Sequence, residues 1–250
     1  MAKRNKNIQS NKKTSKKRHP WRKCPSGKYW VSEHPRTVKK SPKNPTGITI
    51  VDGHCKTNPS RKDQIYSDEL RLIKAMHFKN VKNLPKKDNL GFKWKGNRYD
   101  TEIAAWTQFW NETLNSSKPL DPNLVKALIA TESSFDREAK VFAGKRAGHA
   151  RGLMQVTDWT IEILQDEKGE LRDHLVNVTQ RDLTDPNLNI AAGIRWLYRK
   201  RQTASGKLKR QATWEEAVAD YKSYLEKWKK NPNHKQMNRF LKLYERLREK

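Results

Sequence analysis

Glu132 stands where a helix would bring a carboxyl group to its buried face. In the segment that begins after Asp121, Leu124, Leu128 and Ile129 recur at helical spacing, and Glu132 follows Leu128 by four residues and Ile129 by three. Apolar surroundings disfavour a charged carboxylate, which suits a group that must donate a proton near neutral pH. Ser133, Ser134 and Phe135 then end the helix, so Glu132 is expected at a helix end facing a cleft. The competing reading is a Glu at the edge of the stripe, turned out to water as most helical Glu are. A second set of reactive types lies near the front, where Cys24 and Cys55 accompany His34 and His54. A disulfide, a Cys/His zinc site and free thiols all remain open there, and the spacing matches no strong zinc pattern.

The elements that must position these residues divide by charge and by period. The chain has 54 Lys and Arg against 27 Asp and Glu, a net +27, and residues 1–65 hold 18 against 3. Such an excess points to an anionic polymer as partner, without saying whether it is nucleic acid, cell-wall polymer or a membrane surface. Residues 1–20, with eight Lys and Arg and no acid, predict a disordered basic tail. No apolar stretch of roughly 7–15 residues follows it, so a secretory signal is not expected; nor is there a run of about 18 apolar residues to span a membrane.

Residues 21–65 contain a short repeat, Trp30 to Thr37 laid over Ile50 to Thr57, which predicts two strands of one small hairpin joined through the Pro- and Gly-containing stretch 39–47. From residue 66 to 250 the period is helical. Leu70, Ile73 and Met76 form one stripe, Ile103, Trp106, Trp110 and Leu114 another, and Met237, Phe240, Leu241, Tyr244 and Leu247 a last one. Asp121-Pro122 and Asp185-Pro186 predict helix starts, with Asp as cap and Pro in the first turn. The expectation is a mainly α domain behind a small basic β-rich module.

Three blocks add a resemblance. Ala130-Thr131-Glu132-Ser133-Ser134-Phe135-Asp136, then Gly152-Leu153-Met154-Gln155, then Asp185 to Gly193, resemble in order and spacing the motifs of the soluble lytic transglycosylase (SLT) family. The resemblance covers roughly residues 113–230. It implies an α+β, mainly helical lysozyme-like fold acting on peptidoglycan glycan strands, with Glu132 as catalytic acid/base, Ser133 supporting the sugar or the Glu, and Gly152, Leu153, Met154 and Gln155 in the glycan cleft. Chemistry is consistent with this: Gly152 allows close approach to the backbone, Gln155 offers a donor and an acceptor to sugar groups, and Leu153 and Met154 either pack beneath the sugar or belong to the core. The family's last motif reads Ala-x-Ala-Tyr-Asn; here Ala217-Val218-Ala219-Asp220-Tyr221-Lys222 keeps Tyr221 but puts Lys222 in place of Asn.

The resemblance also implies the reaction. Glycosidases ordinarily use two carboxylates, about 5–5.5 Å or 6.5–9.5 Å apart. Only Glu132 is clearly placed, since Asp136 suits a cap of the next turn and Asp158 has no positional argument. One Glu suffices if the substrate's own N-acetyl oxygen stabilises C1 and its C6 hydroxyl replaces water, giving a 1,6-anhydro product with no cofactor and no metal. The alternatives are a lysozyme-type hydrolase of the same fold, using Asp136 or Asp158, and a basic nucleic-acid-binding or structural protein with an inactive domain. Residues 1–65 are expected to hold an anionic wall polymer or other polyanion. Trp106, Trp110 and Trp159 are candidates for sugar stacking, although the first two sit at core spacing. The expected place of action is the bacterial cell wall or periplasm, reached through a virion, a membrane lesion or a secretion apparatus of a phage or mobile element.

Overall fold

The computed structural model describes residues 19–249 apart from Arg61 and Arg172; the predicted tail, up to residue 18, lies outside them. Strands β1 (Lys28–Val31), β2 (His34–Thr37), β3 (Ile48–Val51) and β4 (His54–Thr57) come first, then β5 (Gln64–Tyr66) and α1 (Ser67–His77). After two 3-10 turns, Phe78–Asn80 and Lys93–Asn97, follow α2 (Asp100–Leu114) and α3 (Pro122–Glu132). A three-stranded sheet of β6 (Lys140–Phe142), β7 (His149–Arg151) and β8 (Val156–Thr157) precedes α4 (Asp158–Gln165) and β9 (Leu175–Asn177). The chain then runs through α5 (Pro186–Leu208), α6 (Trp214–Tyr221), α7 (Leu225–Lys230) and α8 (Lys235–Arg248). The fold is mainly helical α+β, as expected, and among the described residues no helix is long and apolar enough to cross a membrane.

The local signals act where the sequence places them. Asp121 and Asp185 each accept the backbone N–H two residues on, at 2.9 Å, with Pro at the first helical position. The long α5 is the axis of the core. Trp106 and Trp110, fully buried on α2, fasten to it by donating to Asn187 Oδ1 and to the Ala191 carbonyl, both at 2.9 Å. These two Trp are core, as their helical spacing favours, and are not surfaces for sugar stacking. Met237, Phe240, Tyr244 and Leu247 bury the inner face of α8. The expected Leu70–Ile73–Met76 stripe is corrected at its end: Met76 is 52% exposed. Steps of three turn the helix by only about 300° each, so the third member has drifted about 120° from the first.

The front segment folds back on itself. β1 pairs antiparallel with β4 and β2 with β3, so the two halves of the repeat are each other's partners. Cys24 and Cys55 form a disulfide at the base of this hairpin. Gly53 is needed there, since a Cβ would come within 2.3 Å of the Trp30 ring.

The segment is clasped to the helices. Arg22 is buried and donates to Asp63, to both oxygens of the fully buried Glu69 at 3.0 Å, and to the Gln64 carbonyl at 3.2 Å. β5 pairs in parallel with β9, and His174 meets Asp63 at 2.8 Å. His19, assigned to the tail by composition, is buried against Phe109 and hydrogen-bonded to Glu112 at 2.9 Å. Its ring supplies an apolar face and a polar edge that a count of basic residues does not register.

Candidate active site at the end of α3

The stripe of α3 points inward through Leu124, Leu128 and Ile129, and Glu132 emerges as its last residue, partly exposed. The chain leaves it through two consecutive left-handed residues, Ser134 at φ 55° and Phe135 at φ 60°. Such conformations cost of order 1–3 kcal/mol each and persist only where neighbours impose them. Here Phe135 is buried edge-on to Phe92, with ring centres 5.4 Å apart. Ser133 donates its hydroxyl to the Leu153 carbonyl at 2.8 Å, which ties the end of α3 to the 152–155 turn.

The opposite wall is the last turn of α6. This helix starts with a capping box between Thr213 and Glu216. It is fixed near its end by Asp220, which accepts from Thr203 at 2.8 Å and from Lys207. Burial works against the charge of Asp220, but the Lys207 and Thr203 bonds outweigh it and hold the carboxyl below its usual range. Tyr221 donates to the Met154 carbonyl at 2.6 Å. Burial, reinforced by the Glu132 charge, pushes its phenol well above the usual range, so it stays a neutral donor.

Lys222 follows, with Nζ 2.5 Å from Oε1 of Glu132. The apolar surroundings expected for Glu132 are thereby corrected: an ammonium faces the carboxylate. The periodicity of α3 cannot report it, because the residue that supplies the cation lies 90 positions away on another helix.

The 152–155 turn packs more tightly than its sequence suggests. Gly152, at φ 70°, faces α5, and a Cβ there would meet the Asn189 amide at 2.3 Å and the Leu183 carbonyl at 2.4 Å. Its glycine is therefore explained by helix packing, in place of the expected close approach of a sugar. Leu153 and Met154 are fully buried, Met154 lies against Gly193 of α5, and both turn their carbonyls to Ser133 and Tyr221. Asn189 completes the lock, accepting from Met154 N at 2.8 Å and donating to the Arg151 and Leu183 carbonyls. Gln155, partly exposed at φ 50°, spends its amide N–H groups on the Gly152 and Ala139 carbonyls.

The other acids nearby have partners. Asp136 Oδ1 accepts Glu138 N–H at 3.0 Å, the cap expected of it. Asp158 takes His149 N–H at 2.9 Å on one oxygen and Arg151 on the other. Burial opposes its ionisation, but these partners prevail and hold it below the usual carboxylate range. Trp159 is partly exposed, with Arg146 over its ring at 4.8 Å.

Sequence reading missed a second ion pair on α3. Lys126, fully buried on α3, donates to Asp100 at 2.9 Å, Asn97 at 2.7 Å and the Lys86 carbonyl at 2.9 Å. Burial raises Asp100 to about 6, against the opposing pull of Lys126. The sequence carries no signal for this pair: Lys126 lies about 160–200° around the helix from Leu124 and Leu128, where a Lys ordinarily faces water, and it is buried because α3 is covered on every side. Asp63, Asp173 and His174 bring donor atoms within 4.8 Å of one another. Asp63 already holds both Arg22 and His174, so this group serves the clasp of the front segment.

Comparison with curated proteins gives no match. The model of the transglycosylase SLT domain matches residues 110–241, a span that holds α3, the 152–155 turn and α6 and covers more than half of the chain. The chain belongs to the transglycosylase SLT domain family, with the lysozyme-like fold of its members.

Proposed function

We propose that this chain is a lytic transglycosylase that cleaves the β-1,4 bond between N-acetylmuramic acid and N-acetylglucosamine and leaves a 1,6-anhydro end. Membership of the family supports a peptidoglycan-directed activity of this type. The observation that carries the finer reading is the company of Glu132. It stands at the mouth of α3 beside Lys222 and Tyr221, whereas Asp136 and Asp158 are engaged with their own backbone and arginine partners.

In this reaction Glu132 gives its proton to the glycosidic oxygen as the C1–O bond breaks. The carboxylate then takes the proton of the C6 hydroxyl as the C1–O6 bond forms, so no water is consumed and Glu132 is regenerated. The attacking hydroxyl is tethered to the reacting ring, which raises its effective concentration and dispenses with a second carboxylate. In the free chain Lys222 holds Glu132 as a carboxylate; when the glycan binds, the acetamide carbonyl that the family's Asn meets draws the ammonium away, and Glu132 takes up from solvent the proton that it then donates. The Gln155 carbonyl oxygen is suited to accept from a sugar hydroxyl.

The front hairpin supplies attachment. Both faces of β2 and most of β3 are exposed, and Arg36, Lys39, Lys40 and Lys43 surround its tip, which favours an anionic wall polymer. The Cys24–Cys55 disulfide accords with action in an oxidising compartment such as the periplasm or cell wall. The test of the reaction is the mass of the products from purified peptidoglycan: anhydro ends support it, and ends heavier by one water establish a hydrolase.

A further inference from the structure

Beyond the matched span, the 3-10 turn Lys93–Asn97 presents an indole to solvent. Trp94 is 64% exposed although the turn that carries it is anchored from two sides. Buried Lys126 holds Asn97 at 2.7 Å, and Phe92 packs on Phe135. Gly96 lies so close to Asn89 that a Cβ would meet its carbonyl oxygen at 2.2 Å. An exposed Trp on a fixed turn adds little to the core; it offers a preformed apolar face.

Arg98 stands over one of the two faces of the indole. Its guanidinium lies 5.2 Å from the Trp94 ring centre and 5.6 Å from that of Tyr99, and among the described residues it has no carboxylate partner. Together with Lys95, Phe135, Asp136 and the ion pair of Arg137 with Glu138, these side chains line a groove of about 280 Å³, in which Lys95 and Arg98 are the cations without an acid partner among the described residues. The groove runs on past Arg98, Tyr99 and Arg137 into a second hollow of about 470 Å³ toward the start of α5. Its Phe135 wall is three residues beyond Glu132 in the chain.

We propose that this groove is a second saccharide subsite, which stacks the C–H face of a sugar ring on the part of the Trp94 indole that Arg98 leaves exposed and binds the carboxylate of the sugar's peptide substituent on Arg98. The ligand class is a glycan strand bearing acidic peptides. A planar guanidinium free of acid partners matches a carboxylate in two-pronged geometry, and a neutral sugar polymer makes no use of it. The proposal rests on the reading of the cleft as a peptidoglycan site.

The test measures dissociation constants by calorimetry in the full chain carrying Glu132→Gln, so that ligand is not consumed. The probes are a tetrasaccharide of alternating N-acetylglucosamine and N-acetylmuramic acid with its stem peptides, and chitotetraose, which lacks any carboxylate. Trp94→Ala is expected to weaken both probes about tenfold. Arg98→Ala is expected to weaken the peptide-bearing probe about tenfold and chitotetraose less than twofold, with Arg98→Lys between. Both side chains are exposed, and an unchanged melting temperature verifies the fold. Unaltered affinity of Trp94→Ala and Arg98→Ala for the peptide-bearing probe overturns the subsite, as does equal weakening of both probes by Arg98→Ala. Failure of the proposed reaction is seen separately, as absence of wall cleavage by the unsubstituted chain.

Discussion

Lys222 Nζ and Glu132 Oε1 are 2.5 Å apart, an ion pair that bridges the end of α6 and the end of α3 across the site. Neither helix carries the pair alone. Asp220, fastened to α5, fixes the residue before Tyr221, and Ser133, bonded to the Leu153 carbonyl, fixes the residue after Glu132. The relationship makes Lys222 a positioning residue for the proposed acid/base.

Removing the ammonium while keeping the side chain's length isolates this role. Lys222→Met is expected to lower kcat on a soluble glycan by roughly tenfold, the worth of one charge-assisted hydrogen bond. Lys222→Asn, which restores the family's residue, is expected to recover most of it. Turnover of Lys222→Met equal to that of the unsubstituted chain, at unchanged melting temperature, contradicts the assignment.

The clasp at Arg22 predicts a large stability effect far from the site. Arg22→Met leaves Glu69 and Asp63 buried without their cation, and loss of one partner of a buried pair costs about 3–5 kcal/mol. Urea denaturation checks this. A chain cut at Gln64 is expected to suffer the same loss, so the front segment's role in attachment is better tested by Lys39→Gln, Lys40→Gln and Lys43→Gln together. That variant is expected to bind purified wall more weakly at low salt and to keep its turnover of a soluble glycan. Undiminished binding contradicts the polyanion reading.

Asp63 gives the clasp a defined acid lability. Burial opposes its charge, yet His174 and Arg22 prevail and lower the carboxyl to about 2. A carboxyl lowered by folding contributes stability that is present above its unfolded value near 4 and lost as pH falls toward 2. The loss amounts to roughly 2 kcal/mol. Unfolding free energies measured between pH 5 and pH 2 are therefore expected to fall more steeply for the unsubstituted chain than for Asp63→Asn. Parallel curves contradict the linkage.

What the sequence reveals about the fold follows the range of the interactions. Asp121-Pro122 and Asp185-Pro186 are local, and both start helices. The face of α3 is also local, and it carries Glu132 where the stripe predicts. Lys126, on the other side of the same helix, hides its meaning, because Asp100, Asn97 and Lys86 meet it from 26, 29 and 40 residues away. Gly152 is legible as a special backbone position, but only the approach of α5 tells which neighbour requires it. The Cys24–Cys55 bond needed the register of β1 with β4, which sets Trp30 opposite Cys55. Lys222 was legible as a departure from the family's motif, and its partner was not.

In the proposed reaction one carboxylate, Glu132, performs both proton transfers without water. Mass spectrometry of the soluble products from purified peptidoglycan tests it most directly, run beside Glu132→Gln, Asp136→Asn and Asp158→Asn. Expected are 1,6-anhydro-N-acetylmuramic acid ends, at least ~10²-fold loss of activity in folded Glu132→Gln, and cleavage retained by both Asn variants. Products heavier by one water at each cut, or near-full cleavage by Glu132→Gln, contradict it.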